Sequence, residues 1–534
     1  MQAPPTPASL RTDLLRLEAY GALRPATVQL VETHISQVFL LERDVYKIKR
    51  SVNLGFVDFT TLERREAACR AEVSLNARLA PGVYRGVDPV RLDRDGRASL
   101  SAEGPIVDWA VHMRRLPDGQ RADVLLASGE LDARGVDAIA MLLARFHAEA
   151  RTDDVVSAFG NPEVIARNVE ENFAQTHRVI EAYVPDEAAE IVRWQTAFLH
   201  GHAPLFAKRV AAGRVRDGHG DLRLEHVYLD GKDEPTIIDC IEFNDRFRFA
   251  DVCADVAFLS MDLRAHGRVD LAERLLAHYA RETNDYDLYA LVDFYESYRA
   301  FVRAKVAAFL AADSRVDEAT RARAAGEARH HFLLALAADR RSMLLPAVVA
   351  VGGIIASGKS TVAERLADEM SAPVVDADRT RKSMVGVDPH HPLHEAAWAG
   401  AYDPGFTERV YGEVMRRAEI VLASGRPVII DASFRSPTMR AKARERAVAH
   451  GVPFRFIECR ADPEVCRARL AQRTRTAGVS DGRLDVFDAF RSRFEPVTEL
   501  PPTEHVVLDT TRPVDESLGV LRRYLETWPL GFVA

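Results

Sequence analysis

Hydrophobic and polar positions follow different periods in the two halves of this chain. In the N-terminal half, residues 36–50 and 83–115 alternate as strands do, and the apolar spacing over Leu62–Leu79 between them is helical. From Asp132 onward the pattern is mostly helical. This half is therefore predicted to be α+β, with a small sheet lobe of antiparallel character joined to a larger helical lobe.

The C-terminal half alternates short apolar strands with helices. The expected strands are residues 347–352, 372–375, 427–431, 453–458 and 504–508, and the expected helices are residues 360–370, 406–424, 436–450 and 462–474. Such alternation is typical of an α/β domain whose parallel sheet is covered by helices on both faces.

The change of pattern marks a domain boundary. A long helical region rich in Ala, Arg and Leu, roughly Asp287–Arg341, ends there, and the apolar run Ala347–Gly353 indicates a buried strand entering a turn. We therefore expect two domains, at residues 1–340 and 346–534.

Composition narrows the class of protein. The 534 residues are enough for about two to four domains. Lys and Arg number 71 against 79 Asp and Glu, and this net charge of −8 argues against a nucleic-acid or membrane surface. Five scattered cysteines without a Cys-x-x-Cys pair fit a reducing compartment, and no apolar stretch is long enough to span a membrane. We expect a cytoplasmic protein.

A glycine-rich motif for binding phosphate follows the first C-terminal strand. Residues 353–360 match G-x4-G-K-S and lead into a helix, which is the context that the motif requires. Its backbone N–H groups would hold phosphate oxygens, Lys359 would reach the β- and γ-phosphates of ATP, and Ser360 would bind Mg²⁺. The residues expected to bind the nucleotide are Gly353, Ile354, Ile355, Ala356, Ser357, Gly358, Lys359, Ser360 and Thr361.

Charged residues near later strand ends are candidate catalytic groups. Asp378 and Arg381 form a D-x-x-R pair, a general base and a cation beside the transferred phosphoryl group. Asp431 ends a strand where a carboxylate would bind Mg²⁺. Arg469 and Arg473 lie four apart on one helix face, as arginines of a lid over the phosphates would. Each also has a plainer interpretation: a helix cap for Asp378, an ordinary strand-end carboxylate for Asp431, and solvated side chains for the arginines.

Together these motifs resemble the P-loop kinase family that includes polynucleotide kinase, zeta toxin and gluconate kinase. The resemblance covers roughly residues 345–534 and rests on the phosphate loop, the D-x-x-R pair and the R-x3-R pair. It implies transfer of the γ-phosphoryl group of ATP to a hydroxyl group. It does not identify the acceptor.

A second set of kinase motifs lies in the N-terminal half. The segment H-G-D ending at Asp221, followed by His226 and by an I-I-D segment ending at Asp239, resembles the H-G-D-x4-N and I-D signatures of the aminoglycoside phosphotransferase family. The resemblance implies a protein-kinase-like fold with Asp221 as catalytic base and Asp239 as Mg²⁺ ligand. His226 replaces the family's metal-binding Asn, and an imidazole is a poorer Mg²⁺ ligand than an amide oxygen. This lobe is then a weak kinase, a kinase of altered metal preference, or a nucleotide-binding pseudokinase.

The same resemblance assigns a lysine that contacts the phosphates in the small lobe. Lys47 and Lys49 share one strand face, and either would bridge the α- and β-phosphates, with Lys47 favoured. Its helix partner would be Glu72 rather than Glu66. Without the Asp221 motif, solvated side chains would be the simpler interpretation.

The combined interpretation is an ATP-dependent phosphotransferase that acts on a hydroxyl group of an unidentified small molecule. ATP and Mg²⁺ are the expected cofactors, and the C-terminal domain is the expected main active site. The order of the domains resembles the bacterial family described as bifunctional aminoglycoside phosphotransferase/ATP-binding proteins. One alternative is a regulatory or sensor ATPase with a catalytically impaired N-terminal lobe. Another is a 5′-hydroxyl nucleic-acid kinase, against which the net charge of −8 counts.

Overall fold

The chain divides into two compact units. The computed structural model describes residues 7–55, 57–229, 234–336, 344–393, 395–473 and 479–524. The N-terminal unit comprises Met1–Gln175 and Thr196–Asp262, and the C-terminal unit comprises Thr176–Gln195 and Leu263–Ala534. Two units agree with two domains, but the helices after residue 263 cluster with the C-terminal sheet. A boundary at residues 340–346 remains a prediction.

The N-terminal unit contains a six-stranded antiparallel sheet. Helix α1 (Pro7–Leu14) precedes it. Its strands are β1 (Gln29–Glu32), β2 (Ser36–Leu40), β3 (Asp44–Lys49), β4 (Tyr84–Leu92), β5 (Ala98–Ser99) and β6 (Ile106–Arg114). Their spatial order is β1-β2-β3-β6-β4-β5, with antiparallel neighbours throughout. The predicted strands in residues 36–50 and 83–115 are therefore confirmed.

Helix α2 (Leu62–Asn76) packs on this sheet. It begins where the hydroxyl of Thr61 accepts a hydrogen bond from the backbone N–H of Arg64, an arrangement that caps a helix N-terminus. Its buried face carries Cys69 and Glu72. The helix thus places one carboxylate inside the unit, against strands β4 and β6.

Helices and two small sheets follow the six-stranded sheet. The helices are α3 (Ala122–Ser128), α4 (Ala133–Glu149), α5 (Asp154–Ser157), α6 (Pro162–Thr176), α7 (Ala188–Gly201), α8 (Ala203–Ala211), α9 (Asp245–Arg248) and α10 (Val252–Ala265). Strand β7 (Val215–Asp217) pairs with β10 (Phe249–Asp251), and β8 (Val227–Tyr228) pairs with β9 (Thr236–Ile237). Asp221 lies in the loop after β7, and Asp239 lies two residues beyond β9.

Three long helices open the main part of the C-terminal unit: α11 (Val269–Thr283), α12 (Val292–Ala312) and α13 (Glu318–Leu334). The buried guanidinium of Arg426, just before a sheet strand, lies 2.8 Å from the carboxylate of Glu273 on α11 and 3.0 Å from that of Asp293 on α12. These ion pairs join the helices to the sheet within one unit.

The C-terminal sheet is parallel and five-stranded. Its strands are β11 (Val348–Gly353), β12 (Val374–Asp376), β13 (Val428–Asp431), β14 (Phe454–Arg460) and β15 (His505–Asp509). The surrounding helices are α14 (Lys359–Met370), α15 (Ala377–Met384), α16 (Pro404–Ala423), α17 (Pro437–Ala449), α18 (Pro463–Arg473), α19 (Leu484–Arg491) and α20 (Val514–Tyr524). The spatial order is β12-β13-β11-β14-β15, all parallel. The predicted α/β domain is confirmed.

The central strand β11 shows where a ligand would bind. All six of its residues are buried, and because successive side chains point to opposite faces, both faces of the sheet are covered. Strands β12 and β13 lie on one side of β11, and β14 and β15 lie on the other. The carboxyl end of β11 is therefore a topological switch point, where α/β sheets open a crevice for ligands. The phosphate loop leaves β11 at this end.

None of the helices in the described parts of the chain is long and apolar enough to cross a membrane.

Candidate active site

The phosphate loop joins β11 to α14 in a conformation that only certain residues allow. Gly353 has φ +145°, and a Cβ atom there would lie 2.4 Å from the carbonyl oxygen of Cys459. Gly358 has φ +88°, and Ala356 between them is also left-handed, with φ +60°. The loop leads directly into the first turn of α14, whose backbone N–H groups have no partner within the helix and suit phosphate oxygens.

Lysine, serine and carboxylate groups meet beside this loop. The ammonium of Lys359 lies 3.0 Å from the carbonyl oxygen of Ile354 within the loop. Asp431, at the end of β13, lines the cleft together with Lys359 and Ser360. Asp376, at the end of β12, and Asp378, on α15, line the same cleft. The parallel strands thus bring their carboxyl-end residues together as the sequence predicts.

The carboxylates in this cluster are difficult to ionise. Burial first, and then the neighbouring carboxylate of Asp431, raises the pKa of Asp376 to about 6. Burial and the carboxylate of Asp376 raise the pKa of Asp378 to about 6. Burial also raises the pKa of Asp431. Three acids with raised pKa values in one cleft, two of them buried and Asp378 half-buried, favour a bound cation, and they place a proton acceptor close to neutral pH.

Asp376 and Asp378 differ in the hydrogen-bond donors that their carboxylates have. The carboxylate of Asp376 accepts the backbone N–H of Arg379 at 2.7 Å and so caps α15. The carboxylate of Asp378 has no hydrogen-bond donor among the residues that the structure describes. Asp378 is therefore available to a substrate hydroxyl, and the helix cap that the sequence offered as its plainer interpretation belongs to Asp376.

Helix α15 also carries Arg381 and Lys382 into the interior. Arg381 donates to the carbonyl of Ala401, stacks 4.5 Å from the ring centre of Tyr402 and lines the cleft. Lys382 is fully buried, and its ammonium lies 3.1 Å from the carboxylate of Asp481, which also accepts the hydroxyl of Tyr402 at 2.8 Å. Lys382 and Asp481 were not predicted, because their pairing joins helix α15 to a loop almost 100 residues away and leaves no local signal.

Of the remaining predicted residues of this half, Arg469 and Thr361 do not line the cleft. Arg469 donates to the carbonyl oxygens of Ala356, at 3.3 Å, and Thr510, at 2.6 Å, and so braces the phosphate loop. The side chain of Arg473 lies outside the described residues. Thr361 is exposed on α14. A lid formed by the two arginines remains a prediction.

The cleft is also lined by groups that sequence reasoning missed. They include polar and aromatic side chains from several loops: Tyr402, Tyr411, Ser433, Arg435, Phe490 and Phe494. Arg435 follows the end of β13 by four residues. A position just beyond a strand's carboxyl end, the edge where ligands bind, was the available signal for it.

In the N-terminal unit, the predicted lysines and glutamate form a buried cluster. The ammonium of Lys47 lies 2.9 Å from a carboxylate oxygen of Glu72 and 2.5 Å from one of Asp239. Lys49 lies 2.5 Å from the other oxygen of Glu72 and also contacts Glu242. Burial opposes ionisation of Asp239, but the charge of Lys47 outweighs it and lowers the pKa of that carboxyl. Both lysines therefore reach Glu72, while Glu66 pairs with Arg70 on the surface.

The H-G-D loop places Asp221 and His226 beside this cluster. Nδ1 of His226 donates to the backbone carbonyl of Asp221 at 2.8 Å, which leaves Nε2 at 3.6 Å from the carboxylate of Asp239. Arg223 lies 3.1 Å from the carboxylate of Asp221 and 3.3 Å from Nε2 of His226. The expected base is thus already paired with a cation, which the sequence did not predict.

The two sites offer different ligands to a metal ion. Ser360 and Asp431 supply hydroxyl and carboxylate oxygens, and the hard oxygen set with its buried negative charge fits Mg²⁺. In the N-terminal unit, a nitrogen of His226 and an oxygen of Asp239 form a mixed set, which suits softer divalent ions better than Mg²⁺.

Comparisons with known proteins match the C-terminal region and, separately, most of the chain. The family described as "AAA domain" matches residues 348–497, which contain the phosphate loop, Asp378 and Asp431. The Mycobacterium tuberculosis protein named "Uncharacterized protein Rv2004c" is 34% identical over 476 residues, covering 87% of this chain and 90% of the relative.

Solved structures resemble parts of the chain at low identity. A gluconokinase from Sinorhizobium meliloti 1021 is 22% identical, covers 34% of this chain and 90% of its own, and has a TM-score of 0.25. A choline/ethanolamine kinase family protein from Mesorhizobium loti is 13% identical, covers 61% of this chain and 98% of its own, and has a TM-score of 0.34.

Proposed function

This chain belongs to the family of the uncharacterized mycobacterial protein Rv2004c, and we propose that it is an ATP-dependent phosphotransferase whose main active site is the phosphate-loop cleft. The observation that carries the proposal is the position of Asp378. Its carboxylate lies in the same cleft as Lys359 and Ser360, has a pKa of about 6, and has no donor among the described side chains and backbone groups.

The proposed reaction moves the γ-phosphoryl group of ATP to an acceptor hydroxyl. The acceptor oxygen forms a bond to the γ-phosphorus, the bond from that phosphorus to the β–γ bridging oxygen breaks, and ADP leaves. The hydroxyl proton passes to Asp378, which is ionised above about pH 6. Lys359 and Arg381 offset the charge that spreads over the phosphoryl oxygens.

Ser360 and Asp431 are the residues that would hold Mg²⁺. A Mg²⁺ ion held there would offset negative charge on the phosphate groups during transfer. Asp376 stays engaged as the cap of α15 and so holds the helix that carries Asp378.

For the N-terminal unit, the ion pair of Lys47 with Glu72 and the position of Asp239 support a kinase-like nucleotide site of the aminoglycoside phosphotransferase type. One observation favours the alternative function of a sensor: Arg223 holds the carboxylate of Asp221, and Lys47 holds that of Asp239. Both carboxylates are then already paired with cationic side chains before substrate binds. We propose that this unit binds a nucleotide and contributes less to transfer.

The test is ³²P transfer from γ-labelled ATP to a pooled library of sugars, sugar acids, aminoglycosides, nucleosides and oligonucleotides. The full chain is assayed as wild type, Lys359→Ala and Asp221→Ala. Lys442→Ala is the matched control, because Lys442 is paired with Glu408 at the surface. We expect labelled product from wild type, Asp221→Ala and Lys442→Ala, and a loss of at least about 100-fold in Lys359→Ala.

Each other outcome has a definite meaning. Loss of product in Asp221→Ala alone would move the active site to the N-terminal unit. ATP binding to wild type without any labelled product would favour the sensor function. Product that consists of phosphorylated oligonucleotides would favour a nucleic-acid kinase instead.

A further inference from the structure

Two arginines that line the phosphate-loop cleft, Arg381 and Arg435, and the exposed Arg493 near Arg435 lack carboxylate partners in the described part of the chain. Four buried arginines elsewhere in the C-terminal unit pair with carboxylates: Arg379 with Glu282, Arg417 with Glu413, Arg426 with Glu273 and Arg440 with Glu499. Within the described residues, Arg381, Arg435 and Arg493 have no carboxylate oxygen within 4.0 Å. Their positive charge is left for a ligand.

Arg435 is the central member of this group. It lines the cleft, and its guanidinium lies 4.5 Å from the ring centre of Trp398, over which Arg493 also lies at 4.0 Å. Burial, and then the charges of Arg493 and Arg381, lowers the pKa of Arg435. Like charges gathered without a counterion repel one another, so the arrangement gains from a bound anion.

The backbone that directs Arg435 is fixed by packing. The preceding residue, Phe434, is fully buried and has φ +47°, a conformation that a bulky residue adopts only when its surroundings impose it. Its backbone N–H donates to the hydroxyl of Tyr411 at 3.0 Å, and its ring packs edge-on against Tyr411 and Phe456. Arg435 is thus placed before any ligand binds.

Acidic side chains that line this end of the cleft are already engaged. Asp481 is bound by Lys382 and by the hydroxyl of Tyr402. Glu395 accepts the backbone N–H of Ala401. The carboxylate that remains open is Asp378, three residues before Arg381 on α15. The pocket therefore contains both Asp378, which would accept the proton of a hydroxyl group, and a site for an anion.

We propose that the phosphoryl acceptor is an anionic alcohol whose phosphate or carboxylate group is bound by Arg435, assisted by Arg493, while its hydroxyl meets Asp378. This inference rests on the proposed phosphotransferase function. Arg435 is the specificity-determining residue, because a guanidinium binds either anion through two parallel hydrogen bonds. The aromatic rings of Tyr402 and Phe490 line the space between the two groups.

The first test measures binding without catalysis. The full chain is saturated with Mg²⁺ and a non-hydrolysable ATP analogue, so that the phosphate loop is filled, and inorganic phosphate or acetate is titrated calorimetrically. Wild type should bind at least one of them, and Arg435→Gln should bind it at least about tenfold more weakly. Arg444→Gln is the control, because Arg444 is exposed on α17 and paired with Glu504. Equal binding by wild type and Arg435→Gln, or none by wild type, would overturn the inference.

The second test compares charged and neutral acceptors. In the ³²P transfer assay, sugar phosphates and sugar acids are paired with the corresponding neutral sugars, which also separates phosphate from carboxylate recognition. Arg435→Gln should raise KM for the anionic acceptor at least about tenfold with a smaller effect on kcat. Arg435→Lys, which keeps the charge, should recover part of the loss. Far-UV circular dichroism of each variant identifies any that fails to fold.

The two proposals fail in different ways. Transfer to neutral acceptors, with Arg435→Gln unchanged, would leave the phosphotransferase function intact and overturn the anionic acceptor. Anion binding that depends on Arg435 without any transfer would overturn the phosphotransferase function and leave an anion site in the cleft.

Discussion

Replacing Asp378 with asparagine should stabilise the ligand-free protein above neutral pH while it abolishes phosphoryl transfer. Burial, followed by the neighbouring carboxylate of Asp376, raises the pKa of Asp378 from 3.8 to about 6. Ionising it in the folded state therefore costs about 2 pKa units more than in the unfolded chain, or ~3 kcal/mol. Asparagine has nearly the same shape and no charge, so it avoids that cost.

The sign of the pH dependence follows from the protons bound. Between pH 3.8 and about 6, the folded protein keeps a proton on Asp378 that the unfolded chain has released. Stability from this group is therefore greatest at low pH and falls as the pH rises through that window. The advantage of Asp378→Asn over wild type should be ~3 kcal/mol at pH 8, about half of that at pH 5, and near zero at about pH 3.

Urea unfolding of the full chain at pH 8 and pH 5 measures this difference. Glu516→Gln is the control, because Glu516 is an exposed carboxylate in the first turn of α20 and should change the unfolding free energy by no more than about 0.5 kcal/mol. Equal stability of Asp378→Asn and wild type at pH 8 would refute the reasoning. So would a gain that does not shrink toward pH 5.

Two further predictions concern buried charges outside this cluster. Arg426→Met should lower the unfolding free energy of the C-terminal unit by about 3–5 kcal/mol, since it leaves Glu273 and Asp293 without this partner. Urea titration measures the change. The control is Arg444→Met, which removes a surface ion pair and should lower the unfolding free energy by at most about 1 kcal/mol. His226→Asn, in a Lys359→Ala background, should strengthen Mg²⁺-dependent ATP binding by the N-terminal unit about tenfold, because an amide oxygen replaces an imidazole next to Asp239. Calorimetry with Mg²⁺ and with Mn²⁺ checks it, and an unchanged preference between the two ions would contradict it.

Apolar patterning predicted the parallel sheet well because strands β11, β12 and β13 are fully buried and β14 is nearly so. The expected strand at 347–352 is β11 at Val348–Gly353, and that at 427–431 is β13 at Val428–Asp431. The phosphate loop was also readable, because glycine spacing and a strand-to-helix context are local properties of the sequence. Strand β1 was not predicted, since it is a largely exposed edge strand without an apolar face.

Helix α15 shows why part of the site could not be predicted. Its sequence, ADRTRKSM, has almost no apolar residues, yet Arg379, Arg381 and Lys382 are buried. The buried face of this helix is cationic, so the hydrophobic periodicity that reveals other helices is absent. The carboxylates that make such burial tolerable, Glu282 and Asp481, lie about 100 residues away in opposite directions along the chain.

Backbone strain gives an indication of the sites that is independent of motifs. Among the described residues, seven other than glycine have positive φ, and three of them, Arg24, Asn284 and Ser371, follow helix C-termini, where this conformation is common. The other four are Asp239, Ala356, Trp398 and Phe434. They lie at the proposed metal ligand of the N-terminal unit, in the phosphate loop, and on both sides of Arg435. Such conformations cost free energy and persist where surrounding contacts impose them, which is frequent at functional sites.

Motif spacing and backbone angles are separate properties of the chain. At Asp239 and Ala356 the two properties agree. No motif marks Arg435, but the same kind of strain surrounds it, which argues that the acceptor end of the cleft is also a functional site.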